Sequence, residues 1–149
     1  MGTEKSSDFA SFASANPDKS VDSFDYVKII YQSHHLHPDF PLHFAKMFWP
    51  DFKIIDGLVY LCKSHSPDYY EKLKESTPDA ARRQYFWNLF EITGLFEELS
   101  NEEAMSFAET LAACWNAKMA ADFGDVPKPA RAIFDEAYDE VYVTIGSPT

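Results

Sequence analysis

Four of the five histidines fall within ten residues, and this spacing raises the question of metal chemistry. Neutral imidazole is the commonest metal ligand, and a zinc site needs three or four ligands within about 2 Å of the ion. Two prolines interrupt any helix here, so the ligands meet only if the loop folds back. The alternatives are a surface loop with exposed imidazoles and a pH-responsive contact. The metal hypothesis, for an enzyme or a metal or pH sensor, uses His34, His37, His43 and Asp39.

A second group of candidate residues is acidic and lies near the C-terminus. Residues 91–149 contain 12 acidic and three basic side chains, whereas residues 1–90 are almost balanced. We predict that four carboxylates share one face of a last helix, where like charges repel and a basic partner removes the repulsion. A solvated helix face is the simpler interpretation. The predicted partner-binding residues are Asp135, Glu136, Asp139, Glu140 and Trp87.

Trp87 enters this list as an aromatic anchor, because tryptophan is typical of protein interfaces. It follows Arg83 by four residues, so a cation–π pair on the helix surface explains it equally well.

Catalytic signatures are missing from the chain. It contains no HExxH, CxxC, glycine-rich phosphate loop or Gly-x-Ser-x-Gly motif. Cys62 and Cys114 lie in apolar runs and are predicted to be buried thiols. This pattern favours a protein without catalytic activity and predicts no cofactor.

The formal net charge of -11 argues against proteins that coat nucleic acid or anionic membranes, which need clustered basic residues. The sequence has neither a run of 18 apolar residues nor a signal peptide, so it predicts a cytoplasmic protein. Gly2 fits the loose N-myristoylation pattern, but no polybasic patch follows it. The expected partner is a basic protein, as for an inhibitor, immunity-type or scaffold protein, or a second copy in a homodimer.

The elements that must position these residues are mostly predicted helices. Residues 1–20 read as a flexible arm and residues 21–149 as a single helical domain. The predicted fold class is mainly α, a bundle of about five to six helices with one β-hairpin. Helices are predicted at about 22–33, after Pro41, from about 67, from 78 to Gly94, from Ser100 to Phe123 and from Pro129 onward.

The hairpin is predicted at about 52–62, around Asp56 and Gly57, a strong signal for a two-residue turn. This turn pairs Ile55 with Leu58 and Phe52 with Leu61. One face is then wholly apolar, and we expect it to pack against the helices.

Aromatic residues are abundant, with 13 Phe, 8 Tyr and 3 Trp. Most are expected in the core. A small-molecule pocket lined by aromatic side chains, between the hairpin and the helices, is a further alternative.

Overall fold

The computed structural model describes residues 8–63 and 68–148. Among these residues, six helices make up 49%, and five strands form two small antiparallel sheets. The predicted mainly α bundle with one hairpin is therefore wrong, and the protein is mixed α/β. Within the described ranges, no helix is long and apolar enough to cross a membrane.

The described residues group into two compact units, with the boundary between Leu42 and His43. The predicted helix at about 22–33 is confirmed, with Asp22 as its N-cap in a capping box. The third helix begins earlier than predicted and crosses the boundary. The flexible arm at 1–20 and the single domain at 21–149 stay predictions. The first three helices are α1 (Phe9–Ala15), α2 (Ser23–Ser33) and α3 (Asp39–Phe48).

The predicted hairpin is confirmed, including its register. Strands β1 (Phe52–Ile55) and β2 (Leu58–Leu61) pair as expected from the Asp56-Gly57 turn. Both turn residues have a positive φ, as a two-residue hairpin loop requires. The predicted apolar face is only partly buried, since Ile54 is 52% exposed, whereas Tyr60 on the other face is fully buried. Both faces of the hairpin are therefore covered in part.

Two short helices follow, α4 (Tyr69–Ser76) and α5 (Ala80–Trp87). The predicted start of the helix at about 67 lies outside the described residues. The predicted helix to Gly94 is too long, because α5 ends at Trp87 and residues Phe90–Glu91 form strand β3. The N-cap of α5 is Asp79, which accepts the Arg82 amide at 2.8 Å.

Side chains of α5 and the residue after it bond to the free edge of β2. Asn88 is fully buried; its Oδ1 accepts the Leu61 amide at 2.8 Å, and its Nδ2 donates to Val59 O at 3.1 Å. The Trp87 Nε1 donates to Leu61 O at 2.9 Å, and Gln84 Nε2 donates to Val59 O at 3.2 Å. These bonds replace those of a third strand, so β2 has no open edge here.

The longest helix, α6 (Asn101–Phe123), has the predicted boundaries. Ser100 and Glu103 form the predicted capping box, and Gly124 ends the helix with φ of 72°. Its buried side chains pack on the second sheet, and Trp115 donates to Met47 O at 2.7 Å.

The helix predicted from Pro129 is wrong, since this segment is a hairpin of β4 (Ala130–Asp135) and β5 (Glu140–Ile145). Val141, Val143 and Ile145 are fully buried, and their spacing of two is that of a strand. Residues 133–142 also fit a helical pattern, but the β-branched run continues to Ile145. The sheet has the order β3-β5-β4.

The buried Asn88 amide generates a stability prediction. Asn88→Ala leaves the Leu61 amide without its acceptor in the interior, so we expect the free energy of unfolding to fall by about 3 kcal/mol. The matched control is Asn101→Ala at an exposed asparagine, with an expected change within about 0.5 kcal/mol. Urea unfolding followed by circular dichroism measures both. Equal small losses in the two variants would contradict this role of Asn88.

Candidate functional site

The histidine segment runs from the end of α2 into α3, which contains His43, and all four side chains are exposed. His34 is the C-cap of α2, and His37 Nδ1 accepts the Asp39 amide at 3.1 Å. His43 belongs to the second unit. Among residues 8–63 and 68–148, no group of three or more His, Cys, Asp or Glu side chains is placed to hold a metal ion. Metal binding by His34, His37, His43 and Asp39 stays a prediction.

The predicted acidic residues lie at the end of a hairpin rather than on a helix. Asp135 ends β4 and Glu140 begins β5, and the two are directly paired across the strands. Glu136 and Asp139 lie in the exposed turn between them. Asp139 has a φ of 54° and accepts the Asn101 side chain at 2.6 Å. The hairpin thus separates the four carboxylates into a strand pair and a turn pair.

Trp87 is part of the interior. It is only 5% exposed, and its ring packs against Tyr60, Tyr69 and Tyr70. The cation over its ring is Lys53, at 5.7 Å, rather than Arg83. Its position explains how β2 is held and gives no support to a surface anchor.

One face of the β3-β5-β4 sheet carries several acidic side chains. Glu91 pairs with Tyr142 across β3 and β5, and Asp135 pairs with Glu140 across β4 and β5. Side chains of directly paired residues share a face, as do residues two apart on one strand. Glu91, Asp135, Glu140 and Tyr142 therefore project from the same face, opposite the face that packs on α6.

A groove of about 580 Å³ lies between this face and α5. Its sheet wall is polar, with the three carboxylates and the Tyr142 hydroxyl. Its helix side contributes Tyr85, Phe86 and Leu89. The remaining lining residues are Tyr138 from the hairpin turn and Pro148 near the C-terminus.

Contacts between α5 and β5 fix the helix side of the groove relative to the sheet. The Tyr85 and Tyr142 hydroxyls are 2.5 Å apart, and Thr144 Oγ1 donates to Tyr85 O at 2.6 Å. Tyr85 is 7% exposed, whereas Tyr138 is 75% exposed at the rim. One wall aromatic is therefore fixed, and another faces solvent.

The groove carboxylates have no cationic partner among the described residues. No ion pair joins Glu91, Asp135 or Glu140 to a described Lys, Arg or His side chain. Arg131 shares their face, but its Nη2 donates to Gly146 O at 2.9 Å. Arg82 lies over the Phe86 ring at 5.7 Å.

The pKa of the Tyr142 hydroxyl is raised by its surroundings in the groove. Burial, and next the hydrogen bond with Tyr85, raise its pKa well above the ordinary value, and the negative charges of Asp135 and Glu140 raise it further. A neutral phenol, carboxylates and aromatic faces together favour a bound cation over an anion.

A buried polar cluster lies beside the hairpin, on the other side of α5. Arg83 is almost fully buried and donates to Thr77 O at 2.8 Å and to Pro78 O at 3.2 Å, which ties α5 to the end of α4. Burial, and next the neighbouring Tyr70 hydroxyl, raise the pKa of Tyr60 to about 12. These contacts account for structure rather than for a reaction.

The cysteines are less buried than predicted. Cys62 is exposed at the end of β2, and Cys114 is half-buried on α6.

Sequence reasoning found Asp135 and Glu140 but missed the rest of the groove. Glu91 falls within the helix predicted from 78 to Gly94, whereas the structure has it in strand β3, paired with β5. The signal in the sequence for Tyr142 was the alternation of Glu140, Tyr142 and Thr144 with the apolar, β-branched Val141, Val143 and Ile145.

The raised tyrosine pKa values predict an alkaline loss of stability. A group whose pKa is raised in the folded state contributes stability that is complete below its ordinary value of 10 and is lost as the pH rises toward its folded value. We expect the urea midpoint of the wild type to fall from pH 10 to 12. In a Tyr60→Phe/Tyr142→Phe variant this fall should be smaller. An identical pH dependence in both proteins would show that these hydroxyls are not responsible.

Comparison of the chain with protein-family models, with curated proteins and with solved structures found no match.

Proposed function

We propose that this protein is a non-catalytic binding protein that holds a basic segment of another protein in the groove between α5 and the β3-β5-β4 sheet. The supporting observation is that three carboxylates on three neighbouring strands share one face without a described cationic partner. An inhibitor or immunity-type protein would use such a surface.

The direct pairing of Asp135 and Glu140 across β4 and β5 supports the binding of a cation at this place. Like charges directly opposite one another on neighbouring strands destabilise a sheet. Both side chains are half-buried, so water screens them less than it screens charges in the turn. A cation bound between them would replace this repulsion by attraction.

The wider charge distribution supports the same partner class. Of the three basic residues after residue 90, Lys118 pairs with Asp122 on α6 and Arg131 donates to a backbone carbonyl. The negative field would therefore steer a basic protein toward this part of the molecule. A homodimer through the groove is disfavoured because it would place carboxylates against carboxylates.

Binding of a basic peptide tests the proposal. A lysine-rich decapeptide is titrated by isothermal calorimetry into the wild type and into Asp135→Asn/Glu140→Gln. We expect the groove variant to bind at least about tenfold more weakly, or about 1.4 kcal/mol, and wild-type binding to weaken as salt is raised.

The matched control is Glu97→Gln/Glu98→Gln, which removes the same charge from exposed positions outside the groove. Its affinity should stay within about twofold of the wild type. Equal weakening in both variants would mean that only net charge matters. Absence of peptide binding to the wild type would refute the proposal.

A second prediction concerns stability without a partner. Asp135→Asn keeps the Oδ1 that accepts the Ala137 amide at 3.0 Å but removes the repulsion with Glu140. We expect the free energy of unfolding to rise by about 0.5 kcal/mol. The control Glu109→Gln, at an exposed position of α6, should not show this gain. Urea unfolding measures both, and a loss of stability in Asp135→Asn would contradict the repulsion.

A further inference from the structure

We infer that the groove is a specific site for a primary alkylammonium group and that its occupant is a lysine side chain of the partner. This inference rests on the proposed function and deepens it by naming the chemical group that is bound.

The two walls of the groove differ in chemistry, which selects an amphipathic cation. The helix side offers the apolar groups of Phe86 and Leu89, and the sheet wall offers carboxylates and a phenol. A lysine side chain has a four-carbon stem for the first wall and a charged head for the second. An inorganic cation would contact only the sheet wall.

The distribution of the carboxylates favours ammonium over guanidinium. Glu91, Asp135 and Glu140 come from three different strands of the sheet, so a third carboxylate accompanies the directly paired Asp135 and Glu140. An ammonium head has three donors that rotate freely and can address oxygens in different directions, whereas the donors of guanidinium lie in one plane. Three separate acceptors therefore match an ammonium head better.

The aromatic groups supply the rest of the site. Tyr138 is largely exposed at the rim, and Phe86 already has a cation over its ring from Arg82. Ring faces attract cations, and the attraction is larger where water is displaced. We expect Tyr138 to cover the bound head group and to account for part of the affinity.

The groove volume is consistent with this occupant. About 580 Å³ lies within the range of sites for small organic ligands and exceeds what a bare ion needs. It accommodates a complete lysine side chain with a short length of flanking backbone.

Titration of the full chain with small probes, followed by amide NMR shifts, tests the ligand class. The probe is n-butylammonium chloride, and the controls are n-butanol, ammonium chloride and n-butylguanidinium chloride at equal ionic strength. We expect shifts at Glu91, Asp135 and Glu140, and affinity for butylammonium at least tenfold above that for each control. Equal affinity for butylguanidinium or for ammonium ion would overturn the inference.

Two variants locate the site. Tyr138→Ala should weaken butylammonium binding at least threefold. Phe134→Ala removes a neighbouring exposed aromatic on the other face of β4 and should leave binding unchanged. Equal effects of the two variants would overturn the assignment to the groove.

A peptide comparison separates this inference from the proposed function. The small-molecule competitor is 1,4-diaminobutane, an alkylammonium compound without a peptide backbone. A decapeptide with one lysine should bind more tightly than this diamine, and acetylation of the lysine side chain should weaken peptide binding at least tenfold. If lysine-rich peptides bind while butylammonium does not, the ammonium site is refuted and the proposed function stands. If the diamine binds while no lysine peptide does, the protein partner and its lysine are both refuted.

Discussion

The hydrogen bonds from α5 to the strands on its two sides are the constraint on which the rest of the second unit depends. On one side, the buried Asn88 amide bonds the backbone of β2. On the other side, Tyr85 bonds Tyr142 and Thr144 of β5. A helix of eight residues thereby connects a two-stranded hairpin to a three-stranded sheet. The groove has a fixed wall because α5 is held from both directions.

Whereas the contacts of α5 stabilise the second unit, the charged face of the β3-β5-β4 sheet lowers its stability. The two faces of β5 have different roles: Val141, Val143 and Ile145 pack on α6, whereas Glu140 and Tyr142 face the groove. The apolar face stabilises the fold, and the acidic face opposes it through the pairing of Asp135 with Glu140. Retaining such a pair is understandable where ligand binding requires charge, since binding sites often reduce stability.

The sequence predicted elements that are determined by neighbouring residues. The Asp56-Gly57 turn sets the register of β1 and β2, and the capping box at Ser100 sets the start of α6. The prediction from sequence failed for segments whose secondary structure depends on pairing with residues distant in the chain. Residues 133–142 fit a helical and a strand pattern, and only packing on α6 and pairing with β3 select the strand. Glu91 became recognisable as a groove residue only through that pairing.

Native-state hydrogen exchange tests the central role of α5 most directly. The Leu61 amide donates to the Asn88 side chain, and the Ile92 amide, next to the end of β3, donates to Val141 O of β5 at 2.8 Å. If α5 joins the two sheets into one cooperative unit, both amides exchange only by global unfolding, with exchange free energies that agree within about 0.5 kcal/mol. Exchange of Leu61 at a free energy about 2 kcal/mol or more below that of Ile92 would contradict this role of α5, because the hairpin would then open independently of the sheet.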